Sequence, residues 1–207
     1  MKKCVIFCAG EFTGLCHTPQ PGDVIIAADG GLRHVQQLQL QPDEILGDFD
    51  SLGYTPQGAQ VFPAEKDDTD SMLAIRRGLA LECDTFLLYG AMDGSRPDHT
   101  VANYQALHFL AQQGARGYLI GTTQIATVIC NTALDFPGEF QGYLSVFCLG
   151  DASRGVALQG LHYPLENATL TSAMPLGVSN RFLGLPARVS VEQGSLLILW
   201  QRQNGWI

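Results

Sequence analysis

The sequence predicts a chain of two halves: an α/β half with helices on an open parallel sheet over residues 1–121, and an all-β half folded as a small sandwich over 122–207. Three observations lead there. Up to about residue 120, short apolar runs alternate with segments of helical period, as in βαβ units. After Gly121 the helical period stops and short β-prone stretches follow, punctuated at Pro137-Gly138, Gly150-Asp151, Pro164, Pro175, Gly177, Pro186 and Gly194. No long linker separates the halves, so firm packing between them is expected.

Taken in order, Met1-Lys2-Lys3 before Cys4–Gly10 resembles a secretory leader, but the apolar run is too short and Glu11 closes it. It reads instead as a first strand, Val5 to Cys8. Further strands are expected at Val24 to Ala28, Glu44 to Leu46, Gln60 to Phe62, Thr85 to Tyr89 and Gly117 to Ile120. Between them Leu32, Val35 and Leu38 recur at helical spacing, as do Met72, Ile75 and Leu79, and then Val101, Tyr104, Leu107 and Ala111. Each stripe reads as a core face. The second half offers strands at Gln124 to Cys130, Tyr143 to Cys148, Ala168 to Leu170, Ala187 to Val191 and Ser195 to Trp200.

A length of 207 residues suffices for a sizeable core. With 12 Lys plus Arg against 20 Asp plus Glu, the net charge of −8 has the wrong sign for a phosphate-backbone binder, which argues against nucleic acid as a partner. The six cysteines form no C-x-x-C pair and read as small core residues in a reducing compartment. No stretch approaches the roughly 20 apolar residues of a membrane span, so a soluble, cytoplasmic protein is expected.

Chemistry concentrates at the carboxyl ends of the predicted strands, where open parallel sheets collect ligands. Asp29-Gly30-Gly31 follows the second strand, and Asp48 and Asp50 follow the third within Gly47-Asp48-Phe49-Asp50-Ser51. Lys66-Asp67-Asp68-Thr69-Asp70 follows the fourth, and Asp93-Gly94-Ser95-Arg96-Pro97-Asp98 the fifth. On an extended backbone Asp48 and Asp50 point the same way and repel unless a cation intervenes. Hard oxygens of this kind suit Mg²⁺, with substrate phosphates as further ligands. Each group also has a local explanation: an Asx turn at 48–51, a glycine-rich helix cap at 29–31, and acidic capping at 67–70. Three acids exceed the needs of one cap, so Asp70 is assigned to the site and Asp67 or Asp68 to structure. Arg96 reads as a phosphate clamp, since a guanidinium offers a bidentate fork, and Lys66 adds a second positive charge. P-loop, G-x-G-x-x-G, H-E-x-x-H and G-x-S-x-G motifs are missing, and His99 reads as an exposed or capping residue.

The ordered set Ala28–Gly31, Gly47–Ser51, Lys66–Asp70 and Gly94–His99 resembles thiamine pyrophosphokinase of the bacterial kind. The likeness continues through Gly160-Leu161-His162-Tyr163-Pro164-Leu165 and Leu176–Phe182, so it covers essentially the whole chain. It implies a Rossmann-like catalytic domain over 1–121 that binds ATP and Mg²⁺, a β-sandwich thiamine-binding domain over 122–207, and a homodimer with its active site at the subunit interface. The implied reaction moves a pyrophosphoryl group from ATP to the thiamine hydroxyl and releases AMP. By the same resemblance Asp48, Asp50, Asp70 and Asp98 hold one or two Mg²⁺ ions and the phosphates, while Asp29, Gly30, Gly31, Lys66 and Arg96 contact ATP. Ser179 and Asn180 face the thiamine pyrimidine, and Tyr163 stands where animal relatives carry a stacking Trp; His162 replaces the lysine expected in bacterial relatives. Asp98 accepts the alcohol proton or joins the metal sphere. Two other functions fit the same residues: a metal-dependent nucleotide or diphosphate hydrolase, in which the acids activate water, and a non-catalytic nucleotide- or thiamine-binding module.

Overall fold

Consecutive apolar residues such as Cys4-Val5-Ile6-Phe7 and Phe86-Leu87-Leu88-Tyr89 are buried on both faces, which a strand achieves only between two covering layers. The computed structural model describes residues 2–203, so the extreme ends of the two predicted segments lie outside it. Six parallel strands form the first part of the sheet: β1 (Lys3–Phe7), β2 (Val24–Ala28), β3 (Glu44–Gly47), β4 (Gln60–Val61), β5 (Thr85–Tyr89) and β6 (Arg116–Ile120). Their order is β4-β3-β2-β1-β5-β6, so the chain works outward from β1 to one edge and then returns to its other side. Helix α1 (Leu32–Gln37) packs Leu32 and Val35 with Val5, Phe7 and Leu87. The other face, carrying Cys4, Ile6, Phe86 and Leu88, is covered by Ala74 and Ile75 of α2 (Asp70–Ala80) and by Leu107 and Leu110 of α3 (Pro97–Gln112).

The strands after Gly121 do not start a separate body. β7 (Gln124–Cys130) turns back antiparallel on β6, β13 (Gln193–Gln201) pairs with β7, and β9 (Tyr143–Gln159) pairs with β13. At 17 residues β9 serves two partner sets. Its first half also holds β11 (Gly177–Arg181), and its second half holds β10 (Leu165–Thr171) and β12 (Ala187–Ser190), which pairs with β8 (Ala133–Phe136). Phe136, Phe140, Phe182 and Trp200 meet edge-on between these layers, with Phe136 at 5.2–5.5 Å from the other three ring centres. This aromatic knot belongs to the same apolar cluster as Val5 and Tyr89, so the two halves share one core.

Several expectations need correction. The segment around Gly150-Asp151 is not a turn between strands; Gly150, at φ 97°, lets β9 run on through it. β8 and β11 form where no strand was expected. On α3, Leu107 is buried and Tyr104 and Ala111 pack against the core as expected, but Val101 is 58% exposed, and Asn103, Ala106 and Leu110 complete the buried face. On α2, Ile75 is buried and Met72 and Leu79 pack against the core as expected, with Ser71, Ala74 and Gly78 completing the buried set. No helix among the described residues is long and apolar enough to cross a membrane.

Candidate active site

Three acids meet where β2, β3 and the segment after β4 end. Asp29 opens a single 3-10 turn (Asp29–Gly31) after β2, Asp48 follows β3, and Asp70 is the first residue of α2. One carboxylate oxygen from each lies within 4.8 Å of the others. The turn can sit there because Gly31 has no side chain: a Cβ at that position would fall 1.9 Å from the Phe7 carbonyl oxygen of β1. Thr69, not an acid, caps α2 by accepting a hydrogen bond from the Met72 N–H, and Asp68 pairs with Arg76 at 2.9 Å. Asp70 is thereby released from capping duty.

The cluster is only partly neutralised. Lys66 Nζ donates to Asp48 Oδ2 at 3.1 Å and forms an ion pair with Asp70 Oδ1 at 3.0 Å. Ser51 Oγ donates to Asp29 Oδ2 at 2.7 Å, while Asp29 Oδ1 is buried and unpartnered. Burial pushes the Asp70 carboxyl above the ordinary range, assisted by the charges of Asp48 and Asp29 and opposed by Lys66. Burial also raises Asp48, but hydrogen bonds from Lys66 and from the Asp50 N–H, with the Lys66 charge, outweigh it and hold that carboxyl low. Asp29 Oδ1, buried without a donor, faces two further acids that share the single Lys66 ammonium, an oxygen-rich set that a hard divalent cation satisfies, so the residues fit Mg²⁺.

Asp29 and Asp70 also line a cleft of about 680 Å³ at the carboxyl ends of β1, β2 and β5. Cys8, Gly10 and Glu11 form one wall and Asp93, Arg96 and Asn103 another. Burial pushes the Cys8 thiol up to about 12, with the Asp70 charge adding to it, so it stays protonated and inert. Asp93 Oδ2 accepts from the Thr122 N–H at 2.5 Å, tying the loop after β5 to the β6–β7 turn. Asn103 accepts from Ser71 Oγ at 2.7 Å and donates to the Ala91 carbonyl at 2.6 Å, which locks α2, α3 and the cleft floor together.

Not every expected residue joins the three acids. Phe49 is buried at φ 63°, so residues 48–50 are not extended, the two acids lose their shared direction, and Asp50 stands exposed outside the cluster. Asp98 also lies outside it; Arg96 donates to Asp98 Oδ2 at 2.7 Å, and this bond holds the exposed carboxyl low. Arg96 and His99 line the cleft, and Gly30 and Gly31 are buried beneath it. In the β half, Tyr163 and Asn180 border a separate hollow of about 190 Å³ with Leu165, Leu176 and Val178. Asn180 is 2% exposed and both ends of its amide are spent on Tyr163: Oδ1 accepts from the Tyr163 N–H at 2.9 Å and Nδ2 donates to its carbonyl at 2.7 Å. Ser179 is exposed at φ 60°, and its N–H donates to Ser145 Oγ. The His162 ring stands edge-on to Tyr163 at 4.5 Å.

Ser51 and Glu11 received no role from the sequence. Ser51 sat in the acidic motif as a turn former, and Glu11 follows the first strand, where the same strand-end rule would have drawn attention to it.

Comparison with known proteins adds a second line. Residues 17–119 match the family model described as thiamin pyrophosphokinase, catalytic domain, and residues 130–196 match thiamin pyrophosphokinase, vitamin B1 binding domain. The thiamine pyrophosphokinase of Bacillus subtilis (strain 168) is 26% identical over 183 residues, covering 84% of this chain and 85% of that protein. A crystal structure of thiamine pyrophosphokinase from Bacillus subtilis superimposes with a TM-score of 0.86 at 25% identity, covering 98% of this chain and 99% of that one. The thiamin pyrophosphokinase structure from Candida albicans shares the fold at a TM-score of 0.77 and 16% identity, over 98% of this chain and 89% of its own.

Proposed function

Because the chain belongs to the thiamine pyrophosphokinase family, we infer that it transfers the pyrophosphoryl group of ATP to the hydroxyl of thiamine, giving thiamine diphosphate and AMP. The observation that carries the chemistry is the convergence of Asp29, Asp48 and Asp70 beside the cleft, with the buried Asp29 Oδ1 left without a donor. In this reading Asp29, Asp48 and Asp70 hold one or two Mg²⁺ ions, with Asp50 and Asp98 engaging from the rim. An ion held there would supply charge neutralisation for the polyphosphate.

The chain's own residues supply position and charge. Arg96 leaves Asp98 to clamp a phosphoryl group with its guanidinium fork, and Lys66 adds a point charge. The backbone at Asp29, Gly30 and Gly31 lets the nucleotide approach closely. Asp98, freed from Arg96, would accept the alcohol proton or join the metal sphere. Tyr163 offers a ring face for a flat cationic ligand, Ser179 an exposed hydroxyl, and Asn180 fixes the Tyr163 backbone that shapes the hollow. Residues 1–121 serve as a Rossmann-like ATP and Mg²⁺ domain, and 122–207 as a thiamine-binding sandwich. We read the enzyme as a cytoplasmic homodimer with the active site at the subunit interface. Six free thiols suit a reducing compartment, and exposed Tyr163, Met174, Leu176, Leu183 and Leu185 offer a face for a second copy.

One assay tests the reaction: ATP, Mg²⁺ and thiamine together, resolving AMP from ADP. AMP and thiamine diphosphate should form only with thiamine present, and Asp70→Asn should nearly abolish them. Nucleotide consumed equally without thiamine would establish a hydrolase instead, and binding of both substrates without turnover a passive module.

A further inference from the structure

The placement of one cation asks for explanation. Lys66 Nζ sits between Asp48 Oδ2 and Asp70 Oδ1, at 3.1 Å and 3.0 Å, with its side chain only 14% exposed. A surface lysine gains little from such pairs, but this one is drawn into the site by two acids from different elements. The oxygens it occupies belong to the cluster that the proposed function assigns to a divalent cation.

We propose that Lys66 is a built-in counter-ion that competes with the divalent cation for Asp48 and Asp70, so that the nucleotide-free protein binds that cation weakly and binds it well only once a polyphosphate draws the ammonium away. This rests on the reading of the acidic cluster as the metal site. The charge balance carries the step: three carboxylates give −3, and the ammonium reduces that to −2 and blocks one oxygen on each of two acids. Seating a cation on those oxygens requires Nζ to leave. A lysine suits the exchange because its charge is a compact point on a flexible four-carbon stem, whereas a guanidinium fork would hold the carboxylates more rigidly. Lys66 lies in the segment before α2 and not within a helix or strand, so the stem can swing without unwinding an element. An anionic polyphosphate entering the adjoining cleft offers Nζ a new partner and releases the two oxygens together. Cation and nucleotide binding are then mutually reinforcing, each raising the affinity for the other by the same factor.

The test uses the full chain without nucleotide or thiamine and measures Mn²⁺ binding by electron paramagnetic resonance and calorimetry, for wild type, Lys66→Met and Lys66→Arg. Removing a positive charge a few ångströms from a dication should tighten Mn²⁺ binding by at least about tenfold in Lys66→Met. Lys66→Arg should stay as weak as wild type. In chelator, Lys66→Met should melt below wild type through unrelieved carboxylate repulsion and recover its deficit when Mn²⁺ is added; Lys66→Gln serves if the methionine variant does not fold. Equal or weaker Mn²⁺ binding by the neutral variants, or no binding by any form, would overturn the proposal. Tighter binding by Lys66→Met together with absent pyrophosphoryl transfer by the wild type would instead sink the function and leave the role of Lys66 standing.

Discussion

Ser51 Oγ donates a 2.7 Å hydrogen bond to Asp29 Oδ2, joining the loop after β3 to the turn after β2 across 22 residues of sequence. It leaves Asp29 Oδ1 buried and without a hydrogen-bond partner. A hydrogen bond to a charged group contributes roughly 1.5–3 kcal/mol, so Ser51→Ala should lower kcat/KM for ATP by about tenfold to a hundredfold. Global stability should change little, since Ser51 is exposed. Steady-state kinetics decides it, and an unchanged kcat/KM would remove the orientation of Asp29 from catalysis.

Gly31 presses against β1, where a Cβ would meet the Phe7 carbonyl oxygen at 1.9 Å. Gly31→Ala should displace the whole 29–31 turn and destabilise the fold by about 3 kcal/mol, the upper end of overpacking costs. Urea unfolding would show a lowered midpoint at unchanged slope, and a variant as stable as wild type would mean that the turn does not sit so close to β1.

Asp23 should contribute to acid sensitivity. Burial raises its carboxyl, but the Gln20 N–H and the His17 ring, each at 2.8 Å, and the Lys3 charge more than reverse this and leave it below its ordinary value. A carboxyl lowered in the folded state adds stability that is complete above the unfolded value, about 3.9, and is lost as pH falls through the folded one. The stability gap between wild type and Asp23→Asn should therefore be constant on the acid side of neutrality and shrink below about pH 4. Urea titrations across pH would reveal it, and a gap that widened on acidification would contradict the assignment.

Asn180 spends its amide on both backbone groups of Tyr163. Asn180→Ala leaves those groups unpaired, at a cost of about 1–3 kcal/mol, and loosens the wall of the smaller hollow. KM for thiamine should rise while KM for ATP stays near its original value. A rise in both would show damage that reaches the nucleotide cleft.

How much of this was legible depended on whether local pattern and tertiary demand agreed. β2 and β5 were readable to the residue, because five consecutive buried positions in each leave an unbroken apolar run. The second half of β9 was not, since Gly150-Asp151 carries turn chemistry that pairing to β10 and β12 overrides. The apolar stripes of α2 and α3 were readable apart from Val101, but their polar core members were not: Ser71 and Asn103 are buried, satisfying each other, and no hydrophobic period reports that. At the site, the gathering of acids at strand ends was visible in order and spacing. Which of them touch was not: Asp50 turns away on the left-handed Phe49, and Asp29 joins through a turn that only the closeness of Gly31 to β1 permits.

The hydrogen-bond ladder runs without a gap from β4 at one margin to β8 at the other, crossing from β6 to β7 where the two family segments adjoin. Severing the chain near residue 121 would therefore strip a partner from β6 and from β7 at once, baring two raw rows of amides and carbonyls. Neither fragment should survive alone in solution. Expressed separately each should precipitate, and expressed together they should recover by re-zipping along that single seam.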